Sequence, residues 1–158
     1  MSIIGIVAVD RKGAIGKGGK LPWHYSSDMK FFKQTTTGHA CVMGWNTWLT
    51  LKHPLKDRLN IVLSRKEHIQ ENPSVVVMRD LESVLALNRT LPSDLFVIGG
   101  AKVYTEFVPY IEKWIVTEVP LTIEGADTFM PSRYLEGFHQ AGIKELDEGL
   151  IVKYYDRV

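Results

Sequence analysis

The chain is organised around the stretch LPWHYSSDMKFFK, which covers residues 21–33. Pro22 prevents a helix from continuing up to this point, and the serines and the aspartate that follow favour the start of one. Met29 and Phe32 lie about one helical turn apart and share a face, and Asp28 lies beside that face in the first turn. The stretch therefore predicts a helix that places one carboxylate beside an apolar surface.

Two roles for Asp28 are open from this stretch alone. A carboxylate beside an apolar wall is typical of a proton-handling site, because the loss of hydration raises its pKa. An aspartate near a helix N-terminus is also a common cap, which accepts hydrogen bonds from the free backbone amides of the first turn. Motifs elsewhere in the chain are needed to distinguish the proton-handling role from the capping role.

Length and composition are those of one soluble globular domain, expected over residues 1–158. Of these residues 45% are hydrophobic and 23% are charged, which is enough to bury a substantial core. The net charge is only +1, so neither a nucleic-acid partner nor a membrane surface is expected. Because no signal peptide or membrane span is recognised, we expect a cytoplasmic protein. The single cysteine, Cys41, is expected to pack as a small hydrophobe in a buried strand.

Short apolar runs alternate with helical patterns along the chain. Buried strands are predicted at residues 3–9, 40–43, 59–63, 75–77, 96–98 and 114–119, with helices near 28–34, 45–52, 80–88 and 101–108. The last stretch alternates loosely and predicts two antiparallel strands that pair around Glu148 and Gly149. Together these patterns indicate an α/β fold with a mixed, mostly parallel central sheet, an antiparallel C-terminal edge and about four flanking helices.

Two glycine-rich segments are candidates for ligand contacts. Residues 11–20 contain four glycines and are predicted to form a loop, which is either a mobile lid or a long surface turn. Gly99 and Gly100 join a buried strand to a helix, which brings backbone amides and a helix dipole to one point. That arrangement suits a pyrophosphate, but a tight turn without a ligand is equally consistent with it. At the start of the 45–52 helix, Asn46 and Thr47 are expected to be caps.

A family resemblance is carried by motifs that span the chain. In chain order they are Val7-Ala8, Ile15-Gly16, Leu21-Pro22-Trp23 with Asp28 and Phe32, Val42-Met43-Gly44 with Thr47-Trp48, Leu55 and Arg58, Leu63-Ser64-Arg65, Ile98-Gly99-Gly100 with Tyr104, and Thr117. In this order and spacing the chain resembles the dihydrofolate reductases over essentially its whole length. Each motif is weak alone, and their joint occurrence favours the catalytic role for Asp28.

The resemblance implies reduction of 7,8-dihydrofolate to 5,6,7,8-tetrahydrofolate by hydride transfer from NADPH, in a monomer that antifolates inhibit and that needs no metal. Asp28 is then expected to bind the pterin, with Thr117 as a second contact, and its charge to favour the protonated ring. Solvent admitted near Leu21 delivers the proton. Trp23 is expected to pack at the pocket mouth and to contact the pterin through water.

The remaining substrate contacts are also implied by the resemblance. They are Ile6, Val7, Met29, Phe32, Leu51, Leu55, Arg58 and Ile98. Arg58 is expected to clamp the carboxylate of the substrate's glutamate tail, since a planar guanidinium matches that group. The alternatives are core packing for the apolar residues and an ordinary solvated arginine for Arg58.

The same resemblance implies a cofactor site near the paired glycines. Its residues are Ala8, Ile15, Gly16, Gly44, Trp45, Asn46, Thr47, Leu63, Ser64, Arg65, Gly99, Gly100, Ala101, Lys102, Val103 and Tyr104. One position departs from the family pattern: many members carry Arg or Lys where this chain has Trp45. An indole does not neutralise a phosphate but can stack on the adenine or the ribose. Ser64, Arg65 and Lys102 remain to bind the 2′-phosphate, so NADPH is the expected cofactor.

Two other functions fit parts of the pattern. An NADPH reductase of the riboflavin pathway shares this type of fold, but the spacing of Asp28 and Arg58 is that expected for folate. A non-catalytic folate- or nucleotide-binding protein would keep the pocket, yet it would not need a carboxylate on the proton side.

Overall fold

Strands and helices alternate along the chain in the computed structural model, which describes residues 2–19 and 23–158. Its strands are β1 (Ile3–Val9), β2 (Ala14–Gly16), β3 (Ala40–Gly44), β4 (Leu59–Leu63), β5 (Val75–Met78), β6 (Leu95–Val97), β7 (Lys113–Glu118), β8 (Thr128–Phe129), β9 (Phe138–Glu145) and β10 (Ile151–Arg157). Its α-helices are α1 (Ser26–Thr36), α2 (Trp45–Thr50), α3 (Leu81–Asn88) and α4 (Ala101–Phe107). Short 3₁₀ turns cover Val108–Tyr110 and Asp147–Gly149.

The main sheet has eight strands in the order β5-β4-β3-β6-β1-β7-β10-β9. The six strands from β5 to β7 run parallel, whereas β10 pairs antiparallel with both β7 and β9. The chain leaves β1 for β3, moves outward to β5, and then returns to insert β6 between β1 and β3. Open α/β sheets bind ligands beyond the carboxyl ends of the strands at such a reversal of strand order. The end of β6, where Gly99 and Gly100 follow, is therefore the expected position of a site.

Alternate residues of β1 supply cores on the two faces of the sheet, as the two-residue repeat of a strand requires. Ile3, Val7 and Val9 belong to one buried cluster, hereafter the first cluster, together with side chains of α3 and α4. Ile4 and Ile6 belong to the second cluster, whose other buried members are Phe31 of α1, Cys41, Phe96, Ile115 and Val152. Helix α1 therefore packs on the face of the sheet that carries Ile6.

Most of the architecture predicted from the sequence is confirmed. The sheet is mixed and mostly parallel, its C-terminal edge is antiparallel, and four α-helices flank it within the described ranges. Asp80 caps α3 by accepting a hydrogen bond from the Ser83 amide at 2.8 Å. Cys41 is fully buried, and burial raises the pKa of its thiol to about 12, as expected for a packing residue.

The prediction that residues 11–20 form only a loop is wrong, because Ala14–Gly16 form β2, which pairs with β8. The buried carboxylate of Asp10 supports this segment. Its Oδ1 accepts hydrogen bonds from the amides of Lys12 at 2.7 Å and Ala14 at 2.9 Å, and its Oδ2 accepts one from Ile123 at 2.8 Å. The contacts that order the segment therefore come in part from residues far along the chain.

The prediction that Asn46 and Thr47 cap the second helix is also wrong. Gly44 is the N-cap of α2, so both residues lie inside its first turn. A capping side chain accepts hydrogen bonds from the backbone amides of the first turn, and it does so from the N-cap position. Asn46 and Thr47 lie past that position.

In the described part of the chain, no helix has the length and apolar character that a membrane crossing requires.

The tight packing of Trp114 against β1 yields a stability prediction. A Cβ atom on Gly5 would lie 2.3 Å from the Trp114 ring, and that ring is fully buried beside Tyr104 and Tyr134. We expect Gly5→Ala to lower the free energy of unfolding by about 2–3 kcal/mol, the cost of overpacking a core that cannot move aside. Urea unfolding measures the change. The matched control is Gly142→Ala on β9, where the new Cβ would make an ordinary 3.6 Å contact. Equal effects of the two substitutions would contradict the packing described.

Candidate active site

Asp28 lies in the first turn of α1 and does not act as its cap. The N-cap residue is Tyr25, and no side chain of the cap position accepts a helix amide. Among the described residues none donates a hydrogen bond to the Asp28 carboxylate, in contrast to Asp80 on α3. The carboxylate is half-buried, and that burial raises the pKa of Asp28 above its ordinary value. Asp28 therefore has the environment of a proton-handling group.

The apolar residues predicted around Asp28 are only partly brought together. Ile6, Phe32, Leu55 and Ile98 all lie in or against the second cluster, on the face covered by α1. Met29 is 57% exposed and Leu51 is half-buried at the C-cap of α2. Val7 differs from the others, because its side chain packs into the first cluster on the opposite face. Only its backbone is available to a ligand beside Ile6.

Thr117 and Trp23 carry polar side-chain atoms that no described residue pairs with. Thr117 is buried on β7, paired with Ala8 of β1, and its hydroxyl makes no hydrogen bond to a described residue. The indole Nε1 of Trp23 is buried and has no hydrogen-bond partner in residues 2–19 and 23–158. Buried donors are nearly always paired with protein, water or ligand. Leu21, the third residue predicted to be catalytic, lies outside the described residues.

Arg58 is buried, not solvated, and its guanidinium is held in place by protein groups. Nε donates to the Lys56 carbonyl at 2.8 Å, Nη1 donates to the Thr36 hydroxyl at 3.1 Å, and Cζ lies 5.9 Å from the Phe32 ring centroid. These contacts place the guanidinium beside the second cluster. A fixed, planar cation next to an apolar surface suits the recognition of a carboxylate.

Asn60 supports the segment that carries Leu55 and Arg58, a role that the sequence alone does not predict. Its side chain is fully buried; Oδ1 accepts from the Leu55 amide at 2.8 Å, and Nδ2 donates to the carbonyls of Leu55, Arg58 and Ser74. The one signal in the sequence is an amide side chain inside the apolar run LNIVL at residues 59–63.

Gly99 and Gly100 connect β6 to α4 through a cis peptide bond, at the point where the strand order reverses. The Gly44 amide donates to the Gly99 carbonyl at 2.9 Å, so the ends of β3 and β6 meet. A Cβ atom on Gly44 would lie 3.0 Å from a methyl group of Val103, and one on Gly100 would lie 3.9 Å from the Thr47 hydroxyl. Gly44 therefore allows α4 to pack closely against the end of β3.

Helices α2 and α4 both begin at this junction. Their N-caps are Gly44 and Gly100, which carry no side chain to satisfy the helix amides. The buried hydroxyl of Tyr104 in α4 donates to the Ile6 carbonyl at 2.7 Å and so joins α4 to β1. Free amides at two adjoining helix starts favour a bound anion. The other predicted cofactor residues of these helices are buried (Val103), half-buried (Trp45, Thr47, Ala101) or exposed (Asn46, Lys102).

The carboxyl ends of β4 and β5 carry a basic cluster that includes one residue absent from the sequence-based prediction, Arg79. Its Nη1 donates to the carbonyls of Ser64 at 3.0 Å and Glu67 at 2.7 Å, and its Nη2 lies 3.4 Å from His68 Nδ1. Arg79 therefore lies beside Ser64, which Arg65 follows in the chain. Ser64 and Arg65 are both predicted cofactor residues. The signal in the sequence is a basic residue directly after the strand at 75–78.

The other predicted cofactor contacts are distributed over strand ends. Ala8 is half-buried near the carboxyl end of β1, Leu63 is half-buried at the end of β4, and Ile15 and Gly16 lie in β2. The segment after β2 is fastened to the 121–129 region by a hydrogen bond from the Gly18 amide to Asp127 at 2.8 Å. Ile15 is packed against the first cluster.

Two open cavities lie away from Asp28 and the paired glycines. One, of about 320 Å³, is lined by residues 38–40, 57–59, 73–74 and 91–93, which lie largely at the amino ends of the parallel strands. The other, of about 470 Å³, is lined by residues of β1, β7, the 10–13 turn and the β9–β10 turn. Neither includes Asp28, Gly99 or Gly100, so the polar and charged groups described above carry the assignment of the site.

Comparison with known proteins gives consistent results. Residues 2–153 match the family model described as dihydrofolate reductase. The chain is 33% identical over 140 residues to a dihydrofolate reductase of Staphylococcus haemolyticus, and this alignment covers 89% of this chain and 82% of that protein. It is 37% identical over 120 residues to one from Bacillus subtilis, covering 76% and 70%. A dihydrofolate reductase from Enterococcus faecalis, solved with NADP(H) and RAB-propyl, superposes with a TM-score of 0.89 at 32% identity, over 99% of this chain and 96% of that one.

The burial of Asp28 predicts a pH-dependent cost in stability. With its pKa raised in the folded state, the carboxyl group binds its proton more tightly when folded, so wild-type stability falls as the pH rises from the ordinary value of 3.8 through the folded pKa. Asp28→Asn removes that cost. We expect the variant to be the more stable protein at pH 7, and its advantage to shrink as the pH is lowered toward 3.8. Urea unfolding across this range measures the advantage, with Glu71→Gln as control, because that side chain is exposed and makes no ion pair with a described residue. An advantage independent of pH would contradict the burial of the carboxylate.

Proposed function

Because the chain belongs to the dihydrofolate reductase family, we propose that Asp28 is the acid of its active site and that the surrounding residues bind the substrate and cofactor as follows. The protein reduces 7,8-dihydrofolate to 5,6,7,8-tetrahydrofolate with NADPH. The observation that carries the assignment of Asp28 is a half-buried carboxylate, without a donor from the described residues, on a helix that packs beside Ile6.

Asp28 acts on the pterin electrostatically. Its ionised carboxylate accepts hydrogen bonds from the pterin amino group and ring nitrogen, and its negative charge favours the protonated form of the ring. Burial strengthens that interaction, since charges interact more strongly where water is displaced. Solvent supplies the proton. The hydroxyl of Thr117 and the unpaired Nε1 of Trp23, the latter through water, provide further polar contacts.

The rest of the substrate lies along the second cluster. Ile6, Phe32, Leu55 and Ile98 form the apolar wall, with Met29 and Leu51 at its more exposed border and the backbone of Val7 beside Ile6. Arg58 binds the carboxylate of the glutamate tail. This role is supported by the contacts that hold its guanidinium in place, and by the four hydrogen bonds of Asn60 that fix the segment before β4.

Residues at the carboxyl ends of the parallel strands would hold the cofactor. NADPH supplies the hydride when it is bound. The pyrophosphate would be held where α2 and α4 begin, because their N-caps Gly44 and Gly100 carry no side chain to accept from the first-turn amides. Ser64, Arg65, Lys102 and Arg79 bind the 2′-phosphate, and Trp45 stacks on the adenine or the ribose.

The remaining proposals concern domain organisation, oligomeric state, location and inhibition. We propose that residues 1–158 form one domain, that the protein is monomeric and cytoplasmic, and that antifolates compete with dihydrofolate for the site. The match of the family model to residues 2–153 supports the single domain.

Asp28→Asn tests the central assignment. We expect the rate of hydride transfer to dihydrofolate at neutral pH to fall by about 10²- to 10⁴-fold, the usual contribution of a proton-directing group. The measurement is the single-turnover decay of NADPH absorbance with saturating dihydrofolate. Asp156→Asn on β10, which removes a carboxylate that is 43% exposed, is the matched control. Turnover at the wild-type rate in the Asp28→Asn variant would remove Asp28 from the reaction.

Arg79→Gln tests the phosphate site. We expect the KM for NADPH to rise about tenfold and the KM for NADH to change little, because only NADPH carries the 2′-phosphate that the guanidinium neutralises. Steady-state kinetics with each cofactor give the two values. Arg89→Gln, at the exposed C-cap of α3, controls for the loss of one positive charge. Parallel increases for both cofactors would show that Arg79 supports the fold and does not select the phosphate.

A further inference from the structure

The N-terminus of α1 receives its cap from a distant part of the chain. The Ser27 amide donates a hydrogen bond of 2.9 Å to Glu148 Oε1, and the Ser26 hydroxyl donates to the same oxygen at 3.3 Å. The Ser27 hydroxyl donates to the Asp147 carbonyl at 3.0 Å. Glu148 and Asp147 belong to the turn between β9 and β10, about 120 residues further along the chain.

The cap is needed because the local sequence does not provide one. Tyr25 occupies the N-cap position and has no side-chain acceptor for the amides of the first turn. A carboxylate at this end of a helix is also favoured by the helix dipole. The hydrogen bond from the Ser27 amide holds the pKa of Glu148 below its ordinary value, so the side chain is ionised at neutral pH. Ser26 and His24 act on that pKa in the same direction.

Glu148 also has an unusual backbone conformation. Its φ is +68°, in the left-handed region that favours glycine and disfavours larger side chains. Non-glycine residues keep such conformations where surrounding contacts impose them, often at functional sites. Here the conformation coincides with a carboxylate directed at the first turn of α1.

A second contact joins the same hairpin to the same helix. Lys144 Nζ of β9 lies 5.5 Å from the centroid of the Phe31 ring, and Phe31 is the residue of α1 buried in the second cluster. The β9–β10 hairpin therefore contacts α1 on both sides of Asp28, at Ser27 and at Phe31.

We propose that Glu148 is a positioning residue for the reaction: by capping α1 at Ser27, it fixes the turn that carries Asp28. The inference rests on the proposed role of Asp28 and goes beyond it, since it places a determinant of the reaction at the C-terminal edge of the sheet. Glu148 itself touches neither substrate nor cofactor in this scheme.

Three variants test the inference. Glu148→Gly removes the carboxylate and relieves the left-handed backbone, so the variant is expected to fold. Glu148→Gln keeps an oxygen that accepts the Ser27 amide. Glu145→Gln, at the exposed end of β9, removes one negative charge from the same hairpin and is the control.

For Glu148→Gly we expect kcat/KM for dihydrofolate to fall about fivefold, because the turn that carries Asp28 is then held less firmly in place. The KM for NADPH should stay within about twofold of wild type, because the cofactor residues do not contact α1 in the scheme. Glu148→Gln should recover most of the loss, and Glu145→Gln should match wild type. Amide hydrogen exchange at Ser27 should accelerate in Glu148→Gly alone.

Each other outcome is informative. Wild-type kcat/KM in Glu148→Gly, even with faster exchange at Ser27, would show that the cap is structural only and would overturn the inference. Failure of Glu148→Gln to recover activity would overturn it as well, because the hydrogen bond would then not be the cause. If the wild-type protein itself does not oxidise NADPH in the presence of dihydrofolate, the proposed function fails, and the exchange measurement still decides whether Glu148 caps α1.

Discussion

The position of β6 between β1 and β3 is the constraint on which the rest of the molecule depends. Parallel pairing on both of its sides brings three carboxyl ends together, those that lead to Gly44, to the paired glycines and to Ala8. Helix α1 packs Phe31 on the face of these strands that carries Ile6, with Asp28 one turn earlier, and α2 and α4 begin at the strand ends. A different strand order would separate the acid from the glycine pair.

Asp28 is maintained at a cost that the surrounding packing has to offset. The carboxylate is half-buried and none of the described residues hydrogen-bonds to it, so the fold would be more stable with a neutral group at this position. Phe31, buried one turn further along α1, holds the helix on the sheet and with it the acid. The indole Nε1 of Trp23 is likewise buried without a hydrogen-bond partner among the described residues, which also costs stability.

The sequence predicts features that depend on neighbouring residues, and fails where distant residues act on each other. Buried strands of a parallel sheet are continuous apolar runs, so β1, β3 and β4 are recognisable, as are α1 and the glycine junction. Strand β2 pairs with β8, and Asp10 just before it accepts a hydrogen bond from the amide of Ile123; no local pattern predicts either contact. Val7 shows that sequence-based prediction can fail within one strand. Adjacent residues of a strand face opposite sides of the sheet, and the sequence does not tell which side Val7 faces. Arg79 and Glu148 act through hydrogen bonds to residues that are distant in the sequence, and each is an ordinary polar residue there.

The complete burial of Cys41 has a practical consequence. As the only sulfhydryl of the chain, and one with no solvent exposure behind α1, it reacts with an alkylating reagent only when the protein around it opens. The kinetics of its modification therefore record how often the α1 face separates from the sheet, and a bound ligand that bridges the two would slow that chemistry without touching the sulfur.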